Sequence, residues 1–190
     1  WQHFQAGWKE WGGRMQDDLA DTVQWATRQG LTDGQRVCVM GGSYGGYAAL
    51  MAPIVHPGVF RCSVAFAAVT DLRMLYEVTW SDVPEEYKRY GMPKLVGALD
   101  TDGALLDRAS PLKRVTELKL PVLLAHGHLD RRVPRVHADR FADAAKAAGV
   151  PVERVIYEKD GHGFWSPDST IDYYQKVEAF LGKHLGSAPR

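Results

Sequence analysis

The 190 residues of this sequence are enough for one ordinary domain, because domains commonly have roughly 100 to 200 residues. Hydrophobic residues make up 45% and charged residues 24% of the chain, which are globular averages and exclude an intrinsically disordered or collagen-like protein. The 23 basic residues balance the 23 acidic ones, so the chain lacks the basic field that holds nucleic acid, and we expect no nucleic-acid partner.

The first third of the chain predicts two helices and two strands. Apolar residues recur every three or four positions from Met15 to Ala26, which predicts an amphipathic helix over about 15–29. The apolar runs at 36–40 and 62–69 are too short for helices and predict buried strands. Small residues between these runs predict a helix over 46–56, and Pro53 is expected to kink or end it.

The two cysteines, Cys38 and Cys62, lie in these two predicted strands. They could form at most one disulfide bond. Buried cysteines commonly act as small hydrophobic residues, and we expect both to be free thiols.

The remainder of the chain predicts two more strands. After an irregular aromatic and charged stretch at 71–108, Ser110 and Pro111 predict the start of a helix. Strands are predicted at 121–126 and 152–157, with a helix between them from Pro134 to Gly149 and a last helix over about 171–181. Strands that alternate with helices predict an α/β fold with a parallel sheet.

We also expect no membrane partner. No apolar run approaches the roughly 18 to 20 residues that a membrane-spanning helix needs, and the first residues do not resemble a signal peptide. The sequence indicates no compartment.

A possible nucleophile lies between the first predicted strand and the helix that follows. The residues from Gly41 to Gly45 fit the pattern G-x-S-x-G, in which a serine occupies a sharp turn from strand to helix. This turn would expose the Ser43 hydroxyl at the carboxyl end of the sheet. The alternative is a glycine-rich turn whose serine only caps the helix.

Candidate partners of Ser43 follow in the chain order serine, acid, histidine. Asp130 comes after the third predicted strand and His162 after the fourth, so both lie at the same edge of the sheet as Ser43. An ordinary turn aspartate and a surface histidine are the alternatives, but the agreement of order and position favours a catalytic triad.

A metal site is a competing interpretation of the same segment. His126, His128 and Asp130 form an H-x-H-x-D run that resembles zinc ligands. The cationic Arg131 follows directly, and the cysteines lie in other segments. Because a metal site needs a full set of ligands, we expect neither a metal nor any other cofactor.

Five spaced stretches of this sequence resemble the prolyl oligopeptidase family of serine peptidases, peptidase family S9. Its acylaminoacyl-peptidase-like and dipeptidyl-peptidase-like members are the most similar. The stretches are 11–18, 41–47, 69–72, 126–134 and 161–164. The resemblance implies an α/β-hydrolase fold with helices on both faces of a mostly parallel sheet. It also implies a domain that cleaves short peptides with Ser43, Asp130 and His162 as the triad.

The resemblance implies further roles at matching positions. The backbone N–H of Tyr44 would stabilise the oxyanion, and Arg132 matches an arginine that holds a substrate carbonyl in some members of the family. The stretch after the second strand would help to wall the substrate pocket through Met74, Leu75, Tyr76 and Val78. Plain core packing is the alternative for any one of these four.

The chain also departs from the family pattern. By the resemblance we expect a single α/β-hydrolase peptidase domain over 1–190 that is N-terminally truncated, so that the β-propeller, the first strands of the sheet and the loop that gives a second oxyanion donor are absent. The exposed edge of the elbow strand could therefore mediate a homo-oligomer. An ester hydrolase with the same triad, or a fragment that functions only with the rest of a longer chain, are the alternative functions.

Overall fold

The structure, a computed structural model, describes residues 1–186, which form a four-stranded sheet with helices packed against it. All neighbouring strands are parallel, and their order in the sheet is their order in the chain. The strands are β1 (Cys38–Gly42), β2 (Cys62–Phe66), β3 (Val122–Gly127) and β4 (Val152–Tyr157). The predicted parallel sheet is thus confirmed.

The helices agree with the predicted elements where the sequence is strongly periodic. The eight α-helices are α1 (Gln2–Ala6), α2 (Arg14–Arg28), α3 (Tyr44–Val55), α4 (Met74–Glu77), α5 (Met92–Leu95), α6 (Gly103–Arg108), α7 (Val136–Ala147) and α8 (Pro167–Leu185). A π-helix at Tyr87–Gly91 lies within the stretch expected to be irregular, and the helix predicted at Pro111 is a 3₁₀ helix, Pro111–Glu117. None of the helices within 1–186 has the length and apolar character needed to cross a bilayer.

Pro53 lies within α3, and the backbone carbonyl that loses its helical donor there finds another hydrogen bond. A proline at this position cannot donate to the carbonyl of Ala49, four residues earlier. The hydroxyl of Ser63 on β2 donates to that carbonyl at 2.6 Å. The helix therefore continues for two residues beyond Pro53.

Alternate residues of the strands face two separate cores. On β3, Val122 and Leu124 pack with α3, α7 and the 3₁₀ helix, whereas Leu123 and Ala125 pack against α8. This period of two is the geometry of a strand that is buried on both faces. Helices therefore cover both faces of the sheet, as predicted.

The first strand is less buried than its sequence predicts. β1 pairs only with β2 and is an edge of the four-stranded sheet. Its Met40 side chain is 45% exposed, whereas every residue of β3 is buried. The apolar run at 36–40 predicted a buried strand, which was wrong in this respect, because an apolar run alone does not distinguish an edge strand from a central one.

The expectation of two free thiols was also wrong. Cys38 and Cys62 are bonded in a disulfide that joins β1 to β2. The parallel register places the two residues directly opposite each other, with their Cα atoms 4.7 Å apart. That separation suits a disulfide, but it depends on a strand register that the sequence does not specify.

Candidate active site

Ser43 occupies a strained turn between β1 and α3. Its backbone has φ 58° and ψ −118°, a conformation that a non-glycine residue adopts only at a cost of about 1 to 3 kcal/mol. The Ser43 N–H donates to the carbonyl of Phe66 on β2 at 2.9 Å, which holds the turn against the sheet. The turn also needs Gly41, because a Cβ atom there would lie 2.4 Å from the backbone of Gly45.

Asp130 is fixed by its own loop after β3. One carboxylate oxygen, Oδ1, accepts the backbone N–H groups of Arg132 and Val133, each at 2.9 Å. These two bonds leave the other oxygen, Oδ2, to face histidine side chains. Asp130 is only 4% exposed, so the position of its carboxylate is set by the protein rather than by water.

The loop that carries His162 packs against the end of β3. The N–H of Leu129 donates to the carbonyl of Asp160 at 2.9 Å, and the N–H of Trp165 donates to the Asp160 side chain at 2.7 Å. Gly127 permits this approach, because a Cβ atom there would lie within 2.5 Å of the Asp160 carbonyl oxygen. The loops of Asp130 and His162 are therefore held together.

His162 links the other two candidate residues in one chain of hydrogen bonds. Its Nδ1 lies 2.8 Å from Oδ2 of Asp130, and its Nε2 lies 2.9 Å from Oγ of Ser43. A carboxylate accepts only, so Nδ1 carries the proton and Nε2 accepts the Ser43 hydroxyl. This arrangement can remove a proton from Ser43 and stabilise the resulting imidazolium.

Asp130 stays ionised in this setting. Burial alone would raise its pKa, but hydrogen bonds from His126, His162 and the Val133 N–H together lower the pKa below its usual range. The carboxylate is therefore negative wherever the protein is folded near neutral pH.

Tyr44 is the first residue of α3 and directly follows Ser43, so its backbone N–H has no acceptor within the helix. Its side chain turns away from that turn. The phenol hydroxyl lies 3.4 Å from both Gln16 Nε2 and Met15 Sδ, and the ring packs on Trp11. The side chain of Tyr44 is therefore engaged elsewhere, and its backbone N–H is the group left without a helical acceptor.

Arg132 lies in the same loop as Asp130 and remains half exposed. Its Nε donates to Asp82 at 2.6 Å, and the Asp82 N–H donates to the carbonyl of Arg131 at 2.7 Å. The segment around Asp82 therefore orients the guanidinium group beside the candidate triad.

The four predicted pocket residues are placed differently from one another. Met74 and Val78 are buried, and Leu75 packs on the larger core. Tyr76 donates its hydroxyl to the Gly97 carbonyl and lines a cavity of about 600 Å³ with residues of the segment 85–99. The structure thus places three of these side chains in packing positions and one at a cavity.

The H-x-H-x-D run does not converge on one point. His128 is exposed and lies 2.6 Å from a nitrogen of Arg135, whereas His126 is buried and donates to the Val133 carbonyl at 2.7 Å. Within residues 1–186, no group of three or more His, Cys, Asp or Glu side chains has the geometry to hold a metal ion.

The sequence did not reveal a second histidine contact of Asp130. His126 Nε2 lies 3.4 Å from Asp130 Oδ2, on the buried side of the carboxylate. His137 of α7 is also fully buried. The spacing of four residues between His126 and Asp130 was a signal, but it suggested only a metal ligand.

Known proteins match this chain over almost all of its length. The model of the prolyl oligopeptidase family matches residues 1–188. Dipeptidyl aminopeptidase BIII of Pseudoxanthomonas mexicana is 37% identical over 185 residues, which cover 95% of this chain and 26% of that protein. The acylamino-acid-releasing enzyme of Rattus norvegicus is 31% identical over 182 residues, which cover 90% of this chain and 24% of that enzyme.

Solved structures show the same fold. A puromycin-hydrolyzing peptidase of Mycobacterium tuberculosis superposes with a TM-score of 0.88 at 27% identity, covering 98% of this chain and 27% of that one. Pyrococcus horikoshii acylaminoacyl peptidase superposes with a TM-score of 0.86 at 22% identity, covering 98% of this chain and 30% of its own. The chain spans about a quarter of the length of the curated relatives it matches. The family match and these relatives show that the chain has the α/β-hydrolase fold and belongs to the prolyl oligopeptidase family of peptidases.

Proposed function

We propose that this chain carries the catalytic triad of a serine peptidase, with Ser43 as nucleophile, His162 as general base and Asp130 as the residue that orients His162. The observation that carries this proposal is the pair of His162 contacts, 2.8 Å to Asp130 and 2.9 Å to Ser43. Both distances lie within the hydrogen-bond reach that nucleophile, base and orienting group require.

The proposed reaction is acyl transfer in two halves. His162 Nε2 takes the Ser43 proton while Oγ attacks the substrate carbonyl carbon, and the negative oxygen accepts the N–H of Tyr44. His162 then gives that proton to the leaving amine nitrogen, which leaves an acyl-enzyme. Water attacks the ester carbonyl, His162 takes the water proton and returns it to Ser43 Oγ, and the acid is released. The reaction needs no cofactor.

Short peptides are the proposed substrates. The relatives are named for releasing dipeptides or acylated amino acids. Arg132, oriented by Asp82, is proposed to hold a substrate carbonyl, because a guanidinium group donates in a fixed planar geometry. We further propose that residues of 74–78 shape one wall of the pocket, where Tyr76 faces a cavity.

Replacement of the nucleophile tests the proposal. Ser43→Ala in the complete protein is expected to lower the turnover rate by on the order of a million-fold, as loss of the nucleophile does in a comparable protease. Ser169→Ala, which removes a hydroxyl at the start of α8, is the control and is expected to keep full activity. A Ser43→Ala variant with more than a tenth of the normal rate would exclude Ser43 as nucleophile.

Two further measurements separate the alternative functions. A fluorophosphonate probe should label the complete protein at Ser43 but not its Ser43→Ala variant, whereas a non-catalytic piece would not be labelled. Rates on dipeptide and acyl-amino-acid anilides, compared with simple esters, separate a peptidase from an esterase, because fold and triad do not specify the leaving group.

Association through the β1 edge is the proposed partner interaction. An edge strand presents backbone N–H and C=O groups that can pair with another strand. In a longer protein this edge would pair with a neighbouring strand of the same sheet, and in isolation it would pair with a second copy.

A further inference from the structure

Two buried histidines, one of which contacts Asp130, are not part of the proposed triad. His126 is the fifth residue of β3 and His137 is the second residue of α7, and both are fully buried. Within residues 1–186, His126 Nδ1 and His137 Nε2 are buried ring nitrogens that have no hydrogen-bond partner. Such atoms are costly in a core, so each calls for a physical explanation.

The proton position on His126 follows from its contacts. Its Nε2 lies 2.7 Å from the carbonyl oxygen of Val133 and 3.4 Å from Oδ2 of Asp130. Both oxygens accept only, so Nε2 carries the proton and donates it. In the neutral ring, Nδ1 is then a buried acceptor.

The proton position on His137 also follows from its contacts. The backbone N–H of Thr70 donates to His137 Nδ1 at 3.1 Å, so Nδ1 is an acceptor. Burial lowers the pKa of His137 to about 3, with the nearby His126 as the next contribution, so the ring is neutral near pH 7. Its proton is therefore on Nε2, which is a buried donor.

We propose that His137 Nε2–H pairs with His126 Nδ1 through one water molecule, and that this pair makes His126 a positioning residue for Asp130. The pairing satisfies both orphaned nitrogens at once. It completes a chain from the Thr70 N–H through His137 and His126 to Asp130 Oδ2, the same oxygen that accepts from His162.

This arrangement has two consequences for the carboxylate. Asp130 is held on its buried side by a histidine whose own ring is fixed, so Oδ2 cannot turn away from His162. The His126 donor also draws part of the carboxylate charge away from His162. The titratable or charged groups that face Asp130 and His137 are His126 of β3, His162 of the loop after β4 and Arg140 of α7.

Nuclear magnetic resonance of histidine ring nitrogens tests the pairing without activity. In the complete protein with ¹⁵N-labelled histidine, we expect His137 to keep its proton on Nε2 and to exchange it slowly with solvent. His126→Phe, which keeps a ring but removes Nδ1, is expected to shift that resonance and speed its exchange. If the signal and exchange rate of His137 do not change in this variant, the pairing is wrong.

Kinetics test the positioning role, which rests on the proposed function. His126→Phe is expected to lower kcat by about 10- to 100-fold with little change in KM, the range found for outer hydrogen-bond partners of active groups. Without the His126 donor, the full negative charge of Asp130 acts on His162 and stabilises its imidazolium form. The acid limb of the rate profile, along which His162 loses its proton, should therefore move to higher pH by about 0.5 to 1 unit.

His126→Gln separates positioning from folding. Its amide can donate to Asp130 in place of Nε2, and its carbonyl oxygen can accept in place of Nδ1. We expect it to restore the acid limb, much of kcat and the slow exchange of the His137 proton. If His126→Phe does not fold, His137→Phe replaces it, and the ring signal of His126 is then expected to shift.

His56→Phe is the matched control, because it removes another histidine–carboxylate contact, with Asp17 at 2.8 Å, at the far end of α3. It is expected to leave the acid limb unchanged. A folded His126→Phe with the wild-type acid limb and kcat would overturn the positioning role. Failure of the proposed function itself would appear differently, as a Ser43→Ala variant that keeps its activity.

Discussion

Gly41 and Gly45 flank Ser43 in the sequence motif but have different surroundings in the structure. A Cβ atom on Gly41 would lie 2.4 Å from the backbone of Gly45, whereas a Cβ atom on Gly45 would have no atom within 4 Å. The motif therefore needs its first glycine for steric reasons in this fold and not its second.

We expect Gly41→Ala to destabilise the protein by about 1 to 3 kcal/mol or to prevent folding, because backbone rather than a flexible side chain must move. Gly45→Ala is the control: it lies in the first turn of α3 and should leave the free energy of unfolding unchanged or raise it by up to about 1 kcal/mol. Urea unfolding of the two variants measures the difference. Equal stability of the two variants would contradict the steric argument.

His137 should make stability depend on pH in the acid range. Its pKa is lowered to about 3 in the folded protein, mainly by burial, whereas an unfolded histidine has a pKa of about 6.5. Between these values the unfolded chain binds one more proton, so this contribution to stability is complete above about pH 6.5 and is lost as the pH falls.

We therefore expect the free energy of unfolding to fall by up to about 1.4 kcal/mol per pH unit below pH 6 through this residue. The pKa of Asp130 is also depressed, but its contribution is lost only below the unfolded value of about 3.9, so it leaves the range from pH 4 to 6.5 unaffected. Unfolding of wild type and His137→Gln over this range measures the slope. A variant with an unchanged slope would show that His137 titrates as freely when folded as when unfolded.

At the level of elements, the disulfide between Cys38 and Cys62 encloses the β1–α3–β2 unit that carries Ser43. The two cysteines are 24 residues apart in sequence. In the chain-entropy account, closing a loop of this length stabilises the folded state by about 3 kcal/mol.

We expect a reductant to lower the free energy of unfolding by about this amount. Urea unfolding with and without dithiothreitol measures it. The double variant Cys38→Ala, Cys62→Ala is the control, because it should be equally stable with and without the reductant. Identical curves for the oxidised and reduced wild-type protein would contradict the expected contribution.

The elements that the sequence predicted correctly are those with a strong local pattern. Both buried strands β2 and β3 and the long helices α2, α7 and α8 follow from hydrophobic period and cap residues. The short helix α1 and the π-helix at Tyr87–Gly91 do not, because their formation depends on packing rather than on a repeated pattern.

The features of the candidate site divide in the same way, into those with a local sequence pattern and those that depend on packing. Ser43, Asp130 and His162 could be selected from sequence, because each follows a strand of a parallel sheet in the expected chain order. The pairing of Cys38 with Cys62 and the contact of His126 with Asp130 could not, because they depend on strand register and on the packing of α7. The catalytic roles of Ser43, Asp130 and His162 stay a prediction, which Ser43→Ala tests.

At the level of the whole molecule, the edge strand β1 is where we expect association with another strand. Its backbone is unpaired on one side within the described chain, and Met40 exposes an apolar side chain beside it. An exposed edge with an apolar side chain favours pairing with another strand.

We therefore expect the 190-residue chain on its own to associate in a concentration-dependent manner. Met40→Lys should reduce this association, because a charged side chain at an edge opposes strand pairing. Light scattering on both proteins measures it, and Lys113→Met, which adds an apolar side chain away from the edge, is the control. A monomeric wild-type chain at all concentrations would contradict this expectation.

The contact between Ser43 and His162 joins residues that are 119 positions apart in the chain. Contacts of such large sequence separation form only after a long loop has closed, which is slow compared with local helix formation. We therefore expect the reactivity of Ser43 to require that β4 has docked beside β3, late in the assembly of this sheet. A covalent serine probe added during refolding would report the completion of the tertiary structure, and it should lag behind the recovery of helical signal.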